Sequence, residues 1–159
     1  MNERTILVPV DGSDHALTGV RHARSEYPDA RVVLFHAVEL DDNEASRTVE
    51  TFDDLRRWVD RLEADAAAIL DDAAAVFEDT ARGDTEPAGD DTEPVGNASV
   101  TTAVRIGPAP EAIVEFAAAR GVDQIVMASR GEGGDPALPI GSVAKHVVYE
   151  SSIPVTVVR

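Results

Sequence analysis

The chain has 159 residues, enough for one domain, and its 43% hydrophobic content with only 4% aromatics predicts an aliphatic core. The absence of cysteine excludes disulfides, thiolate metal sites and thiol catalysis. A net charge of −16 argues against nucleic acid and anionic membrane surfaces, which are bound through basic patches.

Acidic side chains number 30 against 14 basic ones, of which Lys145 is the single lysine. Such a surface repels itself in dilute buffer, and at molar salt, where the Debye length falls to about 3 Å, the repulsion is screened. The composition therefore predicts adaptation to a salt-rich cytoplasm. No apolar run approaches the roughly 20 residues that span a bilayer, and the N-terminus leads straight into a strand with no signal-peptide pattern. The expectation is a soluble, cytoplasmic protein, with residues 1–159 forming a single domain.

Thr5–Val10 is a short apolar run, the first strand, with Pro9 near its end because proline removes a ladder donor. Asp11-Gly12-Ser13 turns the chain, and Ser13 can cap a helix that places Ala16, Leu17, Val20 and Ala23 on one face and stops before Pro28. Arg31–Val38 is a second strand, apolar on both faces. From Phe52 through Leu55, Val59, Leu62, Ala66, Ile69, Ala73 and Val76 the apolar spacing alternates three and four, which predicts a long amphipathic helix. A crossover helix on a sheet is favoured over a coiled-coil seam because several seam positions are alanine.

The tetrapeptide Asp-Thr-Glu-Pro then occurs twice, at 84–87 and 91–94. Such a polar, proline-bearing stretch cannot pack a core, so 82–98 is read as an acidic, disordered insertion loop. Val100–Ile106 is a third strand. The next helix has Pro110 in its first turn and ends at Gly121. Asp123–Ala128, Ser142–Glu150 and Pro154–Val158 complete the series as strand, helix and strand. This alternation implies right-handed crossovers and a doubly wound parallel five-stranded sheet with helices on both faces, an α/β fold of Rossmann or flavodoxin type.

In such sheets the ligand sits beyond the carboxyl ends of the strands. If the first strand neighbours both the second and the fourth, the loops Pro9–Ser13 and Ala128–Gly141 meet there. Asp11 can accept hydrogen bonds from an adenine amine or ribose hydroxyls, or it can simply brace the Gly12-Ser13 turn. Gly131 can open its N–H to phosphate, or serve as a plain turn glycine. Gly141-Ser142 can offer amides and a hydroxyl at a helix N-terminus, an anion site by construction, and Ser142 as a helix cap fits equally well. His36, inside the second strand, reads as a core histidine. No His spacing suits zinc, no Walker-type loop occurs, and Ser142 has no evident base. The expectation is a non-enzyme, with slow hydrolysis at most.

These residues resemble the universal stress protein family over most of the chain outside the repeat-bearing insertion. Ile6–Ser13 is similar to that family's opening, Leu34–Val38 to its second strand, and Gly107–Ile113 with Gly121–Asp123 to its third helix and the turn after it. The nucleotide-binding branch carries G-x2-G-x9-G-[ST], which reads here Ala128-Ser129-Arg130-Gly131, nine residues, Gly141-Ser142. The resemblance implies strand order 3-2-1-4-5 and ATP as ligand, with or without Mg²⁺ or Mn²⁺. It implies an adenine and ribose pocket at Pro9, Asp11 and Ala37. A loop under ribose and phosphates would be formed by Ala128, Ser129, Arg130 and Gly131, and phosphate contacts by Gly141, Ser142 and Val143. It further implies a homodimer through the last strand, Val155, Thr156, Val157 and Val158, an apolar edge that needs covering. Ala128 in place of the first glycine, Ala144 in place of a hydroxyl residue, and Glu132 and Asp135 in the linker depart from the pattern. The functional expectation is an ATP-binding stress-response regulator. The alternative is a nucleotide-independent dimeric scaffold of the same fold.

Overall fold

The computed structural model describes residues 3–82, 98–131 and 133–159. Five strands form one parallel sheet in the order β3-β2-β1-β4-β5. They are β1 (Thr5–Pro9), β2 (Arg31–Val38), β3 (Ser99–Ile106), β4 (Gln124–Ala128) and β5 (Val155–Val158). Among the described residues five helices connect them: α1 (Ala16–Glu26), α2 (Asp42–Thr48), α3 (Phe52–Arg82), α4 (Ala109–Arg120) and α5 (Ser142–Glu150). The insertion expected over 82–98 falls, but for its two end residues, outside the described residues.

Strand alternation divides the interior into two layers. Ile6 and Val8 of β1, Val32 and Leu34 of β2 and Val126 of β4 face α1 and α3, meeting Val20, Ala23, Leu70, Ala73 and Phe77. Leu7, Phe35, Ile125 and Met127 face the other way, onto Ile113, Phe116 and Ala117 of α4 and Ala144 and Val147 of α5. Phe35 and Phe116 supply an aromatic pair with ring centroids 4.9 Å apart. The aliphatic character of the rest follows from the composition.

Most boundaries fall where the local chemistry puts them. β1 ends on Pro9, and α4 carries Pro110 in its first turn. Gly121 adopts φ +61° to cap the end of α4, a conformation that costs glycine nothing. Ser13 does hold the start of α1, its Oγ accepting from the Ala16 amide at 3.2 Å, although helical backbone already begins at His15.

Helix α2 is not among the sequence expectations. Asp41 caps it, accepting from the amides of Asn43 and Glu44, and none of its residues is buried. A helix with no buried face has no apolar period to read. The long helix α3 packs as a crossover on the sheet, burying Ala66, Leu70, Ala73 and Phe77. In its first two turns only Trp58 is buried, and Phe52, Leu55 and Val59 are exposed. No helix among the described residues is long and apolar enough to cross a membrane.

Candidate functional site

Strand β1 lies between β2 and β4, so the chain leaves the sheet in opposite directions on its two sides and opens a crevice at the carboxyl ends. A cavity of about 220 Å³ occupies it. Pro9, Asp11, Ala37, Ala128, Arg130, Gly131, Gly141, Ser142 and Val143 all line this cavity. Two turns remote in sequence thus converge at one end of the sheet.

Asp11 performs the bracing role. Its Oδ1 accepts from the Ser13 amide at 2.9 Å and the Ser13 hydroxyl at 2.6 Å. Its Oδ2 faces Gly131, where an added Cβ would collide with it. Gly131 does not have the positive φ that would demand glycine on backbone grounds. A side chain there would have to push the Asp11 carboxylate aside, because the two loops touch. Gly12, by contrast, has φ +87°, and a Cβ on it would stand 3.1 Å from the Ile69 side chain of α3.

The phosphate end differs from the sequence expectation in two ways. The Gly141 amide, expected to face an anion, donates instead to the Ser129 carbonyl at 2.6 Å. Ser142 is not a helix cap. The N-cap is Gly141, which makes no side-chain bond, and Ser142 is the first helical residue. Lys145 closes the first turn by donating to the Gly141 carbonyl at 2.9 Å. The amides of Ser142, Val143 and Ala144 therefore lie in the turn that lacks intrahelical acceptors and find none among the described residues. These three N–H groups, with the exposed Ser142 hydroxyl, form the anion-seeking edge of the cavity.

Ser129 does not line the cavity. It is 5% exposed and acts through its backbone. Its amide donates to the Val158 carbonyl at 2.7 Å while its own carbonyl holds Gly141, so the end of β5 and the start of α5 are tied together. Gly141 is close to this carbonyl, and a Cβ there would stand 3.2 Å from it. Arg130 supplies the charge. It is half-buried at the wall of the cavity, and its Nε has no hydrogen-bond partner among the described residues. Ala128 adopts no positive φ, so the methyl group that replaces the family glycine carries no backbone strain.

His36 was expected in the core. It is half-buried, and its Nδ1 lies 2.9 Å from the Val10 carbonyl, which requires Nδ1–H as donor. It also lines the cavity beside Ala37, with Phe35, Ile113 and Met127 as apolar neighbours. A histidine in the last residues of a central strand carries that signal, because the strand's carboxyl end is where such folds place ligands. The sheet edge at Val155–Val158 is half-buried, paired to β4 on one side, with Gln124 Nε2 donating to Thr156 Oγ1 across the ladder. No group of three or more His, Cys, Asp or Glu side chains among the described residues is arranged to hold a metal ion.

The family model described as universal stress protein family matches residues 3–159. The chain belongs to the universal stress protein family. Among curated proteins none matches its sequence. Solved universal stress proteins share its fold. UspA from Lactobacillus plantarum superposes with a TM-score of 0.72 at 22% identity, over 100% of this chain and 99% of that one. A universal stress protein solved in complex with cAMP gives 0.64 at 20% identity, over 100% and 98%. One from Archaeoglobus fulgidus, solved in complex with dAMP, gives 0.59 at 20% identity, over 99% and 98%. The five-stranded order 3-2-1-4-5 is the arrangement of this universal stress protein fold.

Proposed function

We propose that this universal stress protein binds ATP and acts as a homodimeric regulator of the stress response in a salt-rich cytoplasm, with little or no catalysis of its own. The observation that carries the reading is the convergence of Asp11 with the unpartnered amides of Ser142, Val143 and Ala144 at one cavity. In this reading Pro9, Ala37 and Asp11 hold the adenosine. Ala128, Arg130 and Gly131 lie under the ribose and phosphates, with Ser129 supporting them from behind. Ser142 and Val143 bind phosphate oxygens. Gly141 contributes close approach rather than a donor, because its amide is held by Ser129. A Mg²⁺ or Mn²⁺ ion would enter with the phosphates.

Chemistry supports an anion at this point. The helix end offers fixed donors, the Arg130 Nε lacks a partner among the described residues, and the Gly131 position is kept open by the absence of a Cβ. Two relatives of the same fold were solved with adenine nucleotides, cAMP and dAMP. A ligand that favours one conformation of the two loops would carry the signal by a population shift.

Calorimetric titration with ATP and Mg²⁺ in molar KCl tests the proposal. Saturable heat and a raised melting temperature support it. Neither effect at millimolar ATP overturns it in favour of a nucleotide-independent dimeric scaffold. The engaged Gly141 amide, one donor fewer at the phosphate end, is the observation on the scaffold's side.

A further inference from the structure

Lys145 is the single lysine among 14 basic residues. It stands in the first turn of α5, its amide donating to the Gly141 carbonyl at 2.9 Å. Ser142 and Lys145 are three residues apart and both exposed. They share the outer face of that turn, about 4.5 Å apart along the axis at 1.5 Å per residue. Helical side chains lean toward the N-terminus, so the four-carbon stem of Lys145 leans toward the open amides.

No carboxylate competes for this ammonium along the helix. The positions three and four residues from Lys145 are Gly141, Ser142, Val148 and Tyr149, none of them acidic. Across the helix pair, Glu111 of α4 lies 3.8 Å from His146 instead. Among the described residues Lys145 forms no ion pair. With 30 acidic side chains against 14 basic ones, a cation that meets none of them is available to a ligand.

We infer that Lys145 binds the terminal phosphates of the nucleotide and makes the site select a nucleoside triphosphate over a monophosphate. The inference rests on the nucleotide reading above. Position divides the labour. Ser142, Val143 and Ala144 line the cavity, and their amides with Arg130 meet the first phosphate, which a monophosphate carries as well. Lys145 does not line the cavity. It stands beyond the lip, within reach only of a phosphate chain that continues past the helix end. An ammonium is a compact charge with three rotatable donors, suited to oxygens that no fixed amide holds.

The experiment measures ATP and AMP affinities of the full chain by calorimetry, with Mg²⁺ in molar KCl, where distant charges are screened and contacts survive. The parent is expected to bind ATP at least tenfold more tightly than AMP. Lys145→Met lowers ATP affinity at least fivefold and AMP affinity less than twofold, and Lys145→Arg keeps the preference for ATP. Arg61→Gln, which removes an exposed cation of α3 and changes the net charge equally, leaves both affinities unchanged. Amine acetylation gives a second readout, because Lys145 and the N-terminus are the only amines of the chain. Followed by mass spectrometry, acetylation of Lys145 should slow at least fivefold with ATP and less than twofold with AMP. A parent that binds AMP as tightly as ATP overturns the inference and leaves nucleotide binding standing. So does full ATP affinity in Lys145→Met, an equal loss of both nucleotides in that variant, or equal protection from acetylation. A parent that binds neither nucleotide overturns it together with the reading it rests on.

Discussion

The Asp11 carboxylate lies so close to Gly131 that a side chain on that residue would have to push it aside. Two loops that the sequence separates are thereby held in one arrangement. In Gly131→Ala the new methyl group displaces the carboxylate, which also braces Ser13. The expected outcome is a loss of ATP affinity of about tenfold, equivalent to roughly 1.4 kcal/mol. Titration calorimetry reads the loss, and a melting temperature close to that of the parent shows that the fold is intact. Full affinity in this variant would remove Gly131 from the site.

Backbone donors at α5 can be tested one at a time. Ser142 is the first helical residue, where proline is well tolerated, and Gly141 already has the extended φ −77°, ψ 166° that a residue before proline requires. Ser142→Pro therefore deletes one amide and one hydroxyl without distorting the helix. Hydrogen bonds to charged groups contribute about 1.5–3 kcal/mol, so affinity for ATP is expected to fall about tenfold to a hundredfold. Circular dichroism should be unchanged. Ser142→Ala, which keeps the amide, should lose less.

The proposed dimer has a backbone test of the same kind. The carbonyls of Pro154 and Val158 bond to β4, so Val155 and Val157 turn their backbone groups to the free edge. Val157→Pro removes an outward N–H and leaves the β4 ladder intact. Light scattering should report a dimer for the parent and a monomer for this variant. A variant that remains dimeric would move the interface away from this edge.

Thirty acidic side chains set the salt response. Melting temperature should rise steeply from dilute buffer to molar KCl, where the Debye length is about 3 Å. Undiminished stability in dilute buffer would end the high-salt reading.

Helix α3 opens on a reciprocal cap. The Thr51 hydroxyl accepts from the Asp54 amide at 3.1 Å, and Asp54 Oδ2 accepts from the Thr51 amide and hydroxyl at 3.1 and 2.8 Å. The Thr51 side-chain bond, more than the nearby Arg57, holds the Asp54 carboxyl below its ordinary value of 3.8. With the folded value lowered, the stabilisation is present above 3.8 and is lost as pH falls through the folded value. Hydrogen exchange at the Leu55 amide should therefore quicken in Thr51→Ala at neutral pH. The difference from the parent should shrink in acid, where Asp54 is protonated and only the bond from its amide to the Thr51 hydroxyl remains.

Much of this fold is legible from local chemistry. Apolar runs, proline and glycine punctuation and the three-four spacing are properties of adjacent residues, so β2 and α5 begin and end where the residues alone put them. Helix α2 escaped because it buries nothing and leaves no period to read. The candidate site was legible as far as its loops, since an α/β sheet places ligands at the carboxyl ends of its strands.

The amino-acid order by itself determined the succession of strands and helices, the aliphatic core and the two glycine-bearing turns, because each depends on residues close together along the chain. Tertiary structure alone decided which donors stay open. The Gly141 amide is closed by a carbonyl twelve residues earlier, and a side chain at Gly131 would meet the Asp11 carboxylate rather than any limit of its own backbone angles. It also decided where the seam of α3 is covered and where it lies bare beside Trp58, since that depends on where the neighbouring strand stops. Contacts across space have no period along the chain, and hydrogen-bond donors are allotted only when distant segments meet.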